Sequence, residues 1–143
     1  IEIILYEEMI FEVTERTVSH PYSDKLTLEN AIPCYKIEEV LSEKIRALIQ
    51  RSYTAPRDYY DIWYLSNNFP DLNWTLIVEA FYKKMKFKNI EFTGVDQLIN
   101  AKSDKALKGA WKNSLEHQIK KEKLPEYAIV RENLLQLFES IFK

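Results

Sequence analysis

The stretch Lys36-Ile37-Glu38-Glu39-Val40-Leu41-Ser42-Glu43-Lys44-Ile45-Arg46-Ala47-Leu48-Ile49 is where the period of the sequence changes. Ile37, Val40, Leu41, Ile45, Leu48 and Ile49 recur at intervals of three and four, which is the spacing of one helix face. Upstream of it the pattern is different. Ile1-Glu2-Ile3-Ile4-Leu5-Tyr6 is short, apolar and rich in β-branched residues, so it reads as a strand, with Ile10–Thr14 as a second candidate. His20-Pro21-Tyr22-Ser23-Asp24 is a loop signal. Residues 27–35 hold another short extended segment, ended by Pro33 or restarted after it. So few strands cannot cover both faces of a sheet and suit the edge of a larger one.

Downstream the helical period continues. Thr54 is placed to cap a second helix with Pro56 in its first turn, running through Ile62 and Leu65 to the break at Asn67-Asn68-Phe69-Pro70. Asn73 is placed to cap a third, through Met85. Ile90 to Ala101 reads as a loop with a short helix. Leu107, Trp111, Leu115 and Ile119 mark a helix over 105–119, and after Pro125 the residues Val130, Leu134, Leu137, Phe138 and Ile141 line a last one. The expectation is an α+β chain: short N-terminal strands over residues 1–35, the edge of a larger sheet, then a mainly helical bundle over 36–143.

Composition narrows the function classes. The 143 residues hold 46% hydrophobic and 29% charged residues, enough for a real core and a hydrated exterior. Two glycines argue against a glycine-rich phosphate loop. A net charge of -2 argues against a chain that is basic throughout, and leaves room for a local basic patch. Cys34, the one cysteine, permits no internal disulfide and no cysteine zinc site, which points to a reducing, cytoplasmic setting. The sequence holds no apolar run of bilayer length and no secretory leader. A start at Ile1, directly in an apparent strand, reads as a fragment of a longer protein.

The polar residues on the apolar side carry most of the information. Lys44 stands four after Val40, three after Leu41 and four before Leu48, so its stem lies on the core-facing stripe, and Arg51 continues that face. Asp58 precedes Ile62 by four and Leu65 by seven, with Asp61 one turn beyond it and Arg57 before it. The short connection at 52–55 makes the two helices neighbours, so Lys44 and Asp58 can meet. Spacing alone admits two readings: an ion pair that fixes helix register, or a pocket in which Lys44 holds a nucleotide phosphate and Asp58 orients it.

The run from Tyr35 to Leu48, then Arg51, then Arg57-Asp58-Tyr59-Tyr60-Asp61-Ile62-Trp63-Tyr64-Leu65, resembles the C-terminal motifs of the AbiEii/AbiGii nucleotidyltransferase-like toxins. The resemblance implies transfer of a nucleotidyl group from a nucleoside triphosphate, with Mg2+ held by carboxylates, to an acceptor that in some members is RNA, including transfer RNA. It also implies a cognate antitoxin as partner and a role in toxin–antitoxin or phage-defence systems. Within it, Lys44 takes the place of the triphosphate contact and Asp58 that of the residue placing it, with Arg51, Arg57 and Asp61 supporting the pocket. The family's glycine-serine turn and aspartate-x-aspartate strand do not occur here, and Glu2 is the match for the third acidic, metal-holding position. Without the first two carboxylates, the chain alone is expected to be inactive.

Other readings stay open beside this one. A non-catalytic interaction module would bind an antitoxin or pair its strand edge with another chain or a second copy. The stretch Lys83-Lys84-Met85-Lys86-Phe87-Lys88 reads as a solvated helix end, with RNA phosphate contact as its functional alternative. His20 and His117 lack a partner pattern for zinc, and Cys34 has no base beside it. Trp63, Trp74 and Trp111 read as core filling, as do Tyr59, Tyr60 and Tyr64, although these tyrosines also flank the Lys44 pocket.

Overall fold

The computed structural model describes residues 6–17 and 31–143. The expected strand at 1–5, Glu2, the loop at 20–24 and the first part of the 27–35 segment lie outside the described residues. Within them, an antiparallel ribbon of β1 (Thr14–Thr17) and β2 (Ala31–Cys34) precedes five helices. These are α1 (Ile37–Gln50), α2 (Pro56–Asn68), α3 (Trp74–Phe87), α4 (Ala101–Leu115) and α5 (Tyr127–Ile141), with single 3-10 turns at Val95–Gln97 and Lys121–Lys123. This is the α+β arrangement expected from the sequence.

The ribbon pairs Thr14 with Cys34 and Thr17 with Ala31, and puts Pro33 opposite Glu15. Pro33 neither ends nor restarts the strand. A proline lacks the N–H a central strand needs, and a two-stranded ribbon has the outer edge that tolerates it. Residues 10–13 are not strand, contrary to the sequence reading. The backbone amides of Ile10 and Phe11 donate instead to Glu39 Oε2, at 3.1 and 2.9 Å. A buried carboxylate on α1 thus takes the donors that a sheet ladder would have used.

The helix boundaries follow local chemistry. Ala55, not Thr54, occupies the cap position of α2, because Pro56 sits at N1 and holds the residue before it in extended backbone. Asn73 caps α3 by accepting from the Leu76 amide at 3.2 Å. Its far end closes with Asn89 at φ 53, while Ile90 donates to the Met85 carbonyl and Asn89 to the Lys86 carbonyl. That is the paired bonding of a Schellman ending, with asparagine in the left-handed position. A capping box of Asn100 and Ser103 starts α4 at Ala101, one turn before the sequence reading, and the helix ends at Leu115 rather than at Ile119.

The core lies among the helices. Leu41 and Ile45 of α1, Ile62 of α2, Ile77, Ala80 and Phe81 of α3, Leu107, Trp111 and Leu115 of α4, and Val130, Leu134 and Phe138 of α5 are all buried. Leu98 and Ile99 close it from the loop after α3. The buried tryptophan and tyrosine find partners, as an apolar interior requires: Trp111 Nε1 donates to the Pro125 carbonyl and the Tyr59 hydroxyl to the Leu98 carbonyl, at 2.9 and 2.7 Å. Trp63 lies at the margin and donates to Asn133 Oδ1 at 3.0 Å. α1 packs mainly against α3 and on its other flank against α2. Each flank carries a cluster of charge.

Candidate functional site

On the α2 flank, Lys44 leaves the middle of α1 and meets the first turns of α2. Its ammonium lies 3.0 Å from Asp58 Oδ1 and 2.9 Å from Asp61 Oδ2. The two aspartates are three residues apart, about one helical turn, so both face the same lysine. Arg51, just beyond the end of α1, reaches Asp58 Oδ2 at 3.0 Å, and Arg57 reaches Asp61 Oδ1 at 2.8 Å. Lys44, Arg51, Arg57, Asp58 and Asp61 therefore stand in one cluster.

Their burial is graded. The Asp58 side chain is 6% exposed, Lys44 is 24% exposed, and the two arginines are open to solvent. Asp58 Oδ2 is buried without a hydrogen bond of good geometry, so the Arg51 charge is what offsets its desolvation. Three cations face two carboxylates, which leaves the cluster with one surplus positive charge. Tyr60 and Tyr64 stack beside it with ring centroids 5.9 Å apart. Burial, then the neighbouring Tyr64 and Asp61, push the Tyr60 hydroxyl pKa up. Arg51 also borders a cavity of about 230 Å³, lined by Tyr53, Tyr59, Lys102, Ser103 and Ala106 among others.

The α3 flank holds a cluster that the sequence reading missed. Lys84, expected at a solvated helix end, is 2% exposed. Its ammonium pairs with Glu39 and with Glu43 Oε2 at 3.4 Å, and donates to the Glu8 carbonyl at 2.8 Å. Arg46, also buried, pairs with Glu43 and with Glu7 at 3.3 Å. Lys88 pairs with Glu7 at 3.1 Å and donates to the Tyr6 carbonyl. Two of the four lysines offered for RNA contact, Lys84 and Lys88, are thus committed within the fold. Residues 6–11 form a strap tied to α1 and α3 through these groups. Burial opposes ionisation of Glu43, but the hydrogen bond and charge of Arg46, joined by Lys84, outweigh it and hold its carboxyl below the ordinary value. The available signal was the spacing Glu39, Ser42, Arg46: polar residues three and four apart, all buried, on the helix that also buries Leu41 and Ile45.

The donor chemistry decides what these clusters can hold. Asp58 and Asp61 are each engaged by two cations, and Glu39 by Lys84 and two amides, so none fits a divalent metal. Among the described residues no three His, Cys, Asp or Glu side chains stand together as a metal site. Glu2, the residue assigned to metal, lies outside the described residues. Among the described residues, no helix is long and apolar enough to cross a membrane.

Residues 1–135 match a family model described as "Nucleotidyl transferase AbiEii toxin, Type IV TA system". Neither the curated proteins nor the solved structures hold a match to the chain.

Proposed function

The chain belongs to the AbiEii nucleotidyl transferase toxin family, and on that premise we propose that Lys44 is the triphosphate contact of a nucleotidyl transfer site. One observation carries the reading. An ammonium has three donors; Asp58 and Asp61 engage the Lys44 ammonium at 3.0 and 2.9 Å, and the side chain keeps an exposed side for a third acceptor. The two aspartates hold the lysine aimed, and the surplus positive charge of the cluster favours an anionic ligand. Asp58 and Asp61 are positioning residues in this account. Arg51 and Arg57 fix the carboxylates from outside and, being open to solvent, can meet further phosphate oxygens.

The acceptor in this reading is RNA, transfer RNA included, and the nucleotide donor is a nucleoside triphosphate. The described residues supply the anion-binding side of such a site. Its Mg2+-binding side needs carboxylates other than Asp58 and Asp61.

The test is titration of the 143-residue chain with each of the four ribonucleoside triphosphates by calorimetry. Lys44→Ala is expected to weaken binding at least about tenfold, the worth of one charge-assisted hydrogen bond. Lys44→Arg retains charge and recovers part of it. Unchanged affinity in Lys44→Ala, with an unchanged circular dichroism spectrum, sinks the reading.

A second reading is favoured by a separate observation. Tyr6 and Met9 on the strap, Ile32 on the ribbon, and Val13 and Tyr35 flanking it are large apolar residues left exposed. With the outer edges of the ribbon they suit a protein partner, for which the family supplies the cognate antitoxin. Antitoxin capture that persists in Lys44→Ala, in a chain that binds no triphosphate, would favour this non-catalytic role.

A further inference from the structure

The chain carries a net charge of -2, and that charge is unevenly placed. Residues 101–123 contain seven lysines against Asp104, Glu116 and Glu122, a net +4, so the remainder carries -6. The lysines are also ordered. Lys102, Lys105, Lys108 and Lys112 follow at intervals of three, three and four residues along α4, and all four are exposed. That spacing keeps them on one side of the helix, as a row roughly 15 Å long at the helical rise. The buried face of α4, with Leu107, Trp111 and Leu115, flanks the row on one side.

Glu116, exposed and four residues after Lys112, can offset the C-terminal end of the row, but Asp104 and Glu126 do little to cancel it. Asp104 is answered within the fold by Arg131 at 2.9 Å and the Tyr127 hydroxyl at 2.6 Å. Glu126 faces Lys112 at 3.6 Å, with the two side chains 72% and 68% exposed, so solvent screens the pair. Among the described residues, Lys102, Lys105 and Lys108 form no ion pair. Between the lysines stand exposed Ala106 and Gly109, and a Cβ at Gly109 would meet nothing within 4 Å. A bulky chain can therefore lie close to the helix.

We infer that this α4 face is the contact surface for the phosphate backbone of a nucleic-acid strand, most directly a single RNA strand. Two features favour a polyanion over an acidic protein. No large apolar residue of α4 is exposed, so the face lacks the anchor on which protein interfaces depend. Flexible, solvated lysines in a row suit sequence-independent phosphate contact. The row also has a direction. Lys102, Ser103 and Ala106 line the same cavity as Arg51 and Tyr53, so its N-terminal end opens beside the Lys44 cluster. A strand lying along α4 is led to that cluster. The inference rests on the Lys44 reading for this direction only, since the contact itself is measured by binding.

The experiment uses the full 143-residue chain and a labelled single-stranded RNA, with affinity measured across a salt series. Each lysine–phosphate pair removed should flatten the plot of log affinity against log salt by about 0.7. Lys102→Gln with Lys105→Gln is expected to reduce the slope by about 1.4. Lys83→Gln with Lys86→Gln, exposed lysines of α3 removed in equal number, should leave it unchanged. Equal effects of the two double variants would overturn the assignment, as would no effect of either. Tighter binding of poly-L-glutamate than of RNA, with the same α4 dependence, would overturn it in favour of an acidic protein partner. Lys44→Ala separates the two proposals. Loss of triphosphate binding with RNA binding intact supports both, whereas intact triphosphate binding with an α4-dependent RNA slope leaves the strand surface standing and removes the Lys44 reading.

Discussion

Replacing Lys84 by methionine tests whether the buried charge cluster acts as one unit. Both the Lys84 and Glu39 side chains are 3% exposed, so removing the ammonium leaves the Glu39 carboxylate facing a desolvated environment. Removal of one member of a buried pair typically costs about 3–5 kcal/mol. The amides of Ile10 and Phe11 remain on Glu39 and partly offset the loss, which puts the expectation near the lower end, about 3 kcal/mol. Methionine is close to lysine in length and apolar, so little of that figure comes from packing. Urea denaturation monitored by tryptophan fluorescence measures it directly. The same substitution made over Glu39→Leu should cost about 1 kcal/mol or less, because no unpaired carboxylate is then left at that position. A cost under about 1 kcal/mol in the natural background, or equal costs in both backgrounds, would refute the argument that Lys84 serves chiefly to neutralise Glu39.

Three further outcomes can be checked with the same chain. Glu43 is more acidic in the fold than its ordinary value of 4.5, so its contribution is complete above that pH and is lost as pH falls through the lower folded value; Glu43→Gln should flatten the acid limb of a stability–pH curve below about pH 4.5. Burial raises the Tyr59 hydroxyl to about 12, against a lowering by the Ser103 hydrogen bond and with a smaller push upward from the Asp58 charge. That contribution is present below pH 10 and is lost as pH rises from 10 towards 12, so Tyr59→Phe should weaken the alkaline fall in stability. Asn100→Ala removes the acceptor of the Lys102 and Ser103 amides and should destabilise the chain by about 1 kcal/mol, read as a shift in urea midpoint with an unchanged slope.

The sequence was most legible where apolar spacing and a single strong punctuator agreed. Asn73, Pro56 and Pro125 bounded helices whose stripes, with Ile77, Ile62 and Leu134, are indeed interior. The approach of Lys44 to Asp58 was legible too, because a charge on an apolar stripe has few places to go and the connection between α1 and α2 is short. Lys84 was not. Its neighbours Lys83, Lys86 and Lys88 suggest a hydrated helix end. Its burial depends instead on Glu39, 45 positions away by sequence number, and on a strap whose residues look like strand. Local pattern carries no trace of a partner that distant. The α4 lysine row failed to register for a different reason. Its members are spread over eleven positions among mostly neutral residues, whereas the run at 83–88 is contiguous, although half of its lysines are spoken for.

The strap has a consequence for the order in which the chain can fold. Its ties join Tyr6 to Lys88 and Glu8 to Lys84, across 82 and 76 positions. At a synthesis rate of roughly 5–20 residues per second, the earlier partner waits about 4–16 seconds for the later one. During that interval Ile10 and Phe11 have neither Glu39 seated by Lys84 nor a strand to join. The segment made early is therefore fixed late, and a nascent chain stalled before α3 should present it to chaperones or proteases as an undocked segment.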